Sequence, residues 1–111
     1  MVSFTKGQIV LFPFPFTDLF NRKLRPCLVL SDVMGEDVVL CQITSQKIRS
    51  DSYSVPLVFS ETKNGSLKVD SYIRCNMLFT ADISQIVAVV CELDDIKYSS
   101  VVSLINSIIS K

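Results

Sequence analysis

Short apolar runs, each broken by polar or turn-forming residues, recur along most of the chain, and only the last stretch shows a helical spacing. Gln8–Phe12 is rich in β-branched and aromatic side chains and predicts a first strand. That strand is expected to stop at Pro13, which has no amide hydrogen to give a sheet ladder. Pro13-Phe14-Pro15-Phe16 forces extended backbone before each proline, and the polar Thr17–Arg25, with its basic end, predicts a long exposed loop. Pro26–Ser31 and Val38–Thr44 predict two buried strands, joined through Asp32–Asp37, whose glycine and acidic residues suit a turn. Ser54–Phe59 predicts a fourth strand, and Asn64-Gly65 is the pair that two-residue hairpins prefer. Ser71–Thr80 and Ile86–Glu92 predict the last strands, separated by a short helical turn over Ala81–Gln85.

Val101, Leu104, Ile105, Ile108 and Ile109 fall at the i, i+3, i+4, i+7 and i+8 positions of one amphipathic helix, with Ser99 or Ser100 placed to cap its first turn. Short strands throughout and one terminal helix predict a small, mostly β barrel (α+β) with the helix packed on it.

Composition narrows the picture. The 111 residues suffice for one domain over 1–111, whose core buries about two thirds of the surface an unfolded chain exposes. With 49% hydrophobic and 20% charged residues, and only 3 Gly and 4 Pro, a disordered or low-complexity chain is excluded. The longest apolar run is Ile86–Cys91, against about 20 residues for a membrane span. No membrane association is expected, and the N-terminus shows no basic-then-apolar secretory signal, so the cytoplasm is the expected address. Cys27, Cys41, Cys75 and Cys91 stand far apart in apolar surroundings, which predicts buried free thiols and no metal site. The chain has no histidine, which removes Ser-His-Asp and Cys-His nucleophiles, His-ligated metals and paired-His ribonuclease chemistry. Any catalysis rests on Arg, Lys, hydroxyls or carboxylates, with no cofactor expected.

Basic and acidic residues balance at 11 each, but residues 1–50 hold six Lys/Arg against four Asp/Glu. A modest basic patch forms if those positions converge. Arg22-Lys23-Leu24-Arg25-Pro26 suits either a solvated loop or phosphate recognition, and Arg25 differs from its neighbours because Pro26 fixes the backbone after it. Cys41–Lys47 ends a strand in two hydroxyls, an amide and an ammonium, which a plain strand end explains equally well. Tyr72-Ile73-Arg74-Cys75-Asn76 sets Arg74 and Asn76 on one face and Ile73 and Cys75 on the other, compatible with a solvent face over a core face.

In combination these signals resemble the PemK/Kid/MazF toxins of bacterial type II toxin–antitoxin systems. The resemblance spans nearly the whole chain and rests on Lys6–Leu11, Pro13–Asp18, Arg25-Pro26 with Cys27–Leu30, Ile43-Thr44-Ser45 and Asp70–Arg74. It implies an SH3-like barrel with a C-terminal helix and a homodimer. It also implies metal-independent endoribonuclease activity on single-stranded RNA at short motifs, and a cognate antitoxin whose disordered tail plugs the site. By position it makes Arg25 and Thr44 catalytic, and the family's Arg-Cys-Asp triplet falls on Arg74, Cys75 and Asn76, with Asn in place of Asp. RNA binding is then expected from Lys23, Lys47 and Arg74 on phosphates and from Ser45, Gln46 and Asn76 on base edges, with Phe14, Phe16 and Phe20 as rings for stacking. A related family uses the same barrel for toxins that bind a protein such as DNA gyrase, so a non-enzymatic toxin and a degenerate inactive relative are the competing expectations.

Overall fold

A computed structural model describes residues 3–15, 22–46 and 52–110. Its strands are β1 (Gln8–Pro15), β2 (Arg22–Val29), β3 (Asp37–Thr44), β4 (Ser54–Leu57), β5 (Thr62–Lys63), β6 (Ser71–Asp82) and β7 (Ala88–Leu93), followed by the helix α1 (Asp95–Ile109). They join in one antiparallel sheet in the order β4-β6-β3-β2-β1-β7-β5. The sheet curls into a half-barrel closed by the helix, the mostly β class that the sequence predicts.

Two expectations about the first hairpin are corrected. β1 does not stop at Pro13 but continues to Pro15, with Pro13 facing Leu24 and Pro15 facing Arg22. The Leu11 carbonyl accepts a hydrogen bond from the Val87 amide, so the backbone of Leu11 points toward β7, and by alternation so do Pro13 and Pro15. The pairing of β1 with β7 ends at Leu11, so the missing amide hydrogens fall on a side with no strand partner among the described residues, where a strand tolerates proline. In consequence β2 begins at Arg22, and Arg22–Arg25 is strand instead of loop.

Elsewhere the differences are smaller. β4 ends at Leu57, because the Glu61 side chain accepts from the Val58 amide at 3.0 Å and folds Phe59–Glu61 into a 3₁₀ turn. Asn64 and Gly65 take the expected positive φ values, 55° and 124°, but no two-residue hairpin results. β5 pairs with β7, and the chain after Gly65 runs on to Ser71 without a strand. A Cβ on Gly65 would lie 2.3 Å from the Val90 carbonyl oxygen, so close approach to β7 requires the glycine as much as its φ does. The helix starts at Asp95, before Ser99, because Asp94 caps it by accepting from the Lys97 amide at 2.7 Å.

The sheet carries an apolar layer on each face. One gathers Ile9, Leu28, Cys41, Ile43, Ile73 and Leu93 from strands across the sheet and packs them on Val101 and Ile105 of α1. Leu104 and Ile108 complete that helix face, whereas Ile109, about 80° round the helix from Val101 at 100° per residue, is 67% exposed. The other layer holds Val10, Phe12, Cys27, Val29, Val38, Leu40 and Ala81. Phe14, expected on an exposed loop, stands in β1 and packs edge-on against Phe12 and Phe79, with centroids 5.5 and 5.3 Å apart. All four cysteines are buried and free. Burial pushes the Cys27 thiol up to about 12 and raises that of Cys41 further, with a smaller push from Cys75 and Cys27, so neither serves as a thiolate near neutral pH. Among the described residues no helix is long and apolar enough to cross a membrane.

Candidate active site

The polar end of β2 is positioned from both sides. Phe12 faces Arg25 and Phe14 faces Lys23 in the β1–β2 ladder, which holds the Arg25 backbone within a strand and not merely at its edge. On the other side Cys27 faces Gln42, and this β2–β3 register carried two residues further sets Arg25 across from Thr44. The ladder itself ends at Cys27. Leu30 donates its amide to Val39, so the alternate positions Leu28 and Pro26 also direct their backbone at β3, and Pro26 has no hydrogen to give. Thr44 in turn faces Tyr72 of β6, and Tyr72 faces Pro56 of β4. Alternate residues share a face, so Phe12, Arg25, Thr44, Tyr72 and Pro56 make one row across five strands, in which the ladder pairs Phe12–Arg25, Thr44–Tyr72 and Tyr72–Pro56 stand about 4.5–5.5 Å apart at Cβ.

Arg25 is half-buried in this row, and Thr44 is only 7% exposed. The Thr44 hydroxyl oxygen accepts a hydrogen bond from the Gln46 amide at 3.2 Å, which turns the chain and lifts Ser45 and Gln46 into solvent. Among the described residues the hydroxyl hydrogen has no acceptor. A planar guanidinium borne by a paired strand, on the same face as a hydroxyl on the next strand, is an arrangement suited to a phosphate group.

Arg74 lies two residues beyond Tyr72 on the same face of β6, opposite Ser54. Its Nε is cut off from solvent and has no hydrogen-bond partner among the described residues, an arrangement that in a native protein calls for a reason. At Arg74 the β3–β6 register breaks: Cys41 faces Leu78 while Ile43 faces Ile73, so Gln42 alone spans Arg74–Met77. The Cys41 thiol donates to the Arg74 carbonyl at 3.0 Å across this bulge. Asn76 sits within the bulge and is exposed, whereas Ile73 and Cys75 are fully buried, the in–out division that the sequence predicts.

Lys23, Arg25 and Ser45 also line a groove of about 340 Å³ between the end of β2 and the stretch Ser66–Val69. Thr44, Gln46, Arg74 and Asn76 do not line it, so the expected site divides between the groove and the row beside it. Lys47, Phe16 and Phe20 lie outside the described residues. The sequence reading missed two features: Ser66 and Lys68 on the far wall of the groove, and Tyr72 in the row. A lysine among apolar residues after a turn signalled the first. The alternation of Tyr72 with buried Ser71 and Ile73 signalled the second only once its register against Thr44 is known.

The model of the PemK-like, MazF-like toxins of type II toxin–antitoxin systems matches residues 5–109. Among solved structures, the chain is similar to MazF from Deinococcus radiodurans, with a TM-score of 0.73 and 18% identity over 100% of each chain. It is also similar to an endoribonuclease from Mycobacterial species, with a TM-score of 0.71 and 16% identity over 99% of this chain and 94% of the other. An endoribonuclease in complex with its cognate antitoxin, again from Mycobacterial species, gives a TM-score of 0.68 and 16% identity over 95% and 93% of the two chains. No curated protein matches the sequence.

Proposed function

The chain belongs to the PemK-like, MazF-like toxins of type II toxin–antitoxin systems, and from that premise we propose that it is a metal-independent endoribonuclease cutting single-stranded RNA at short sequence motifs. The observation that carries the reading is the row that sets Arg25 across from Thr44. A ribose 2′-hydroxyl attacks the adjacent phosphorus, forming the O2′–P bond as the P–O5′ bond breaks. The 2′-oxygen loses a proton and the departing 5′-oxygen gains one, which leaves a cyclic phosphate and a 5′-hydroxyl.

The Arg25 guanidinium holds the charge that grows on the phosphorane oxygens, and the Thr44 hydroxyl donates to one of them. A preorganised donor aimed at transition-state charge contributes about 3 kcal/mol, or 10²–10³ in rate. The chain has no histidine, and in this reading water carries the protons in place of that common base. Lys23, Lys47 and Arg74 hold flanking phosphates, while Ser45, Gln46 and Asn76 read base edges. A homodimer extends this surface, a cognate antitoxin covers it with a tail that folds on binding, and the enzyme acts in the cytoplasm.

The test is cleavage of a single-stranded RNA in the presence of a chelator, with the 5′ ends mapped. Wild type is expected to cut, leaving 5′-hydroxyl ends, and Arg25→Ala to lose at least about 10² in rate. Cleavage by Arg25→Ala at the wild-type rate removes the assignment. Uncut RNA with trapped DNA–gyrase complexes in cells would select the protein-binding mode instead.

A further inference from the structure

We infer that Tyr72 is a specificity-determining residue, its ring the platform on which a nucleobase next to the scissile phosphate stacks. The inference rests on the endoribonuclease reading and deepens it. Tyr72 is the direct cross-strand partner of Thr44, whose hydroxyl is assigned to the phosphate, so the two side chains leave the sheet about 5 Å apart at Cβ. It is half-buried, with one neighbour in the row, Thr44, buried and the other, Pro56, exposed on the edge strand β4.

Along β6 the next side chain on the same face is Arg74, about 6.5 Å on at the rise of a strand. Its Nε is desolvated and lacks a partner among the described residues. A ring with Thr44, and Arg25 beyond it, across the sheet and with Arg74 next along its own strand sets a base platform among groups suited to phosphate. Single-stranded RNA is read by splaying its bases onto such rings.

Of the rings that the sequence offers for stacking, the one among the described residues does not serve. Phe14 is committed to its edge-on contacts with Phe12 and Phe79. Tyr72 takes part in no ring pair among the described residues.

Three variants separate the outcomes. Stacking needs the ring and not the hydroxyl, so Tyr72→Phe is expected to keep wild-type cleavage and motif preference. Tyr72→Leu, which keeps the volume of a half-buried site, is expected to raise KM about 10- to 100-fold with kcat little changed. The chain contains no tryptophan, so Tyr72→Trp supplies a single reporter, expected to be quenched by an oligonucleotide blocked by a 2′-O-methyl group at the scissile position. Wild-type KM and motif preference in Tyr72→Leu, together with an unquenched Tyr72→Trp, overturn the platform and leave the endoribonuclease standing. Quenching of Tyr72→Trp by RNA that wild type does not cut keeps the platform and overturns the cleavage reading. RNA that is neither cut nor able to quench overturns both.

Discussion

The two halves of the β3–β6 ladder are built from the same pair of strands and do opposite work. In the half before the bulge, Val38 and Leu40 face β6 in regular register, and both are fully buried in the layer that includes Phe12 and Ala81. In the half after it, Thr44 faces Tyr72, and by alternation Thr44 and Arg74 share a face with Arg25 of β2. Regular pairing with apolar side chains stabilises; a register break with polar side chains at its margin gives up packing in return for aimed donors. The bulge separates the two halves, and Phe12, which belongs both to the buried layer and to the row, ties the row to that core.

The largest expected effect lies in the first half. Leu40→Ala removes a fully buried side chain and is expected to cost about 2–5 kcal/mol in denaturant unfolding, with activity per folded molecule unchanged. A large loss of activity per folded molecule would erase the division. Thr44→Val gives the opposite pattern, a drop of about 10² in cleavage rate with a much smaller change in unfolding free energy, measured by single-turnover cleavage beside a melting curve. If it melts the protein and leaves the rate alone, Thr44 belongs with the core.

Alkaline titration tests the two apolar layers together. Cys27, in the apolar layer, has a thiol pKa raised by burial to about 12 from 9.0, and Cys41, at the seam, is raised in the same direction. A raised folded-state pKa means that the unfolded chain releases its proton first, so the stability these thiols contribute is intact below about pH 9 and falls as pH rises toward 12. Urea unfolding from pH 8 to 11 is expected to show that decline, and Cys27→Ala is expected to flatten part of it. The smallest effect is Asp94→Ala, which deletes the cap of α1; it is expected to cost about 1 kcal/mol in unfolding free energy and to leave cleavage untouched, since the helix packs on the face away from the row.

Legibility followed locality. The helical period from Val101 to Ile108, though not its last expected position Ile109, the buried cysteines and the alternation in β6 were visible because each depends on near neighbours. Arg25 stood out because Pro26 follows it, and Thr44 because hydroxyls end its strand. What the chain hid depends on partners distant in sequence. The prolines of β1 look like a stop until their orientation away from β2 is known. The early start of β2 is paid for by pairing with β1 and not by any propensity of Arg22–Arg25. The bulge at Arg74–Met77 is likewise a property of two strands together, and with it the alignment of Tyr72 with Thr44.

The prolines bear on encounters with other molecules. β4 is one margin of the sheet and carries Pro56, while the outer reach of β1 carries Pro13 and Pro15. An incoming chain that tried to prolong the sheet there would meet imino nitrogens with nothing to donate. Along those two borders, recognition is directed away from backbone templating and onto the chemistry of side chains, which guards a strand-rich protein against stacking with its own copies.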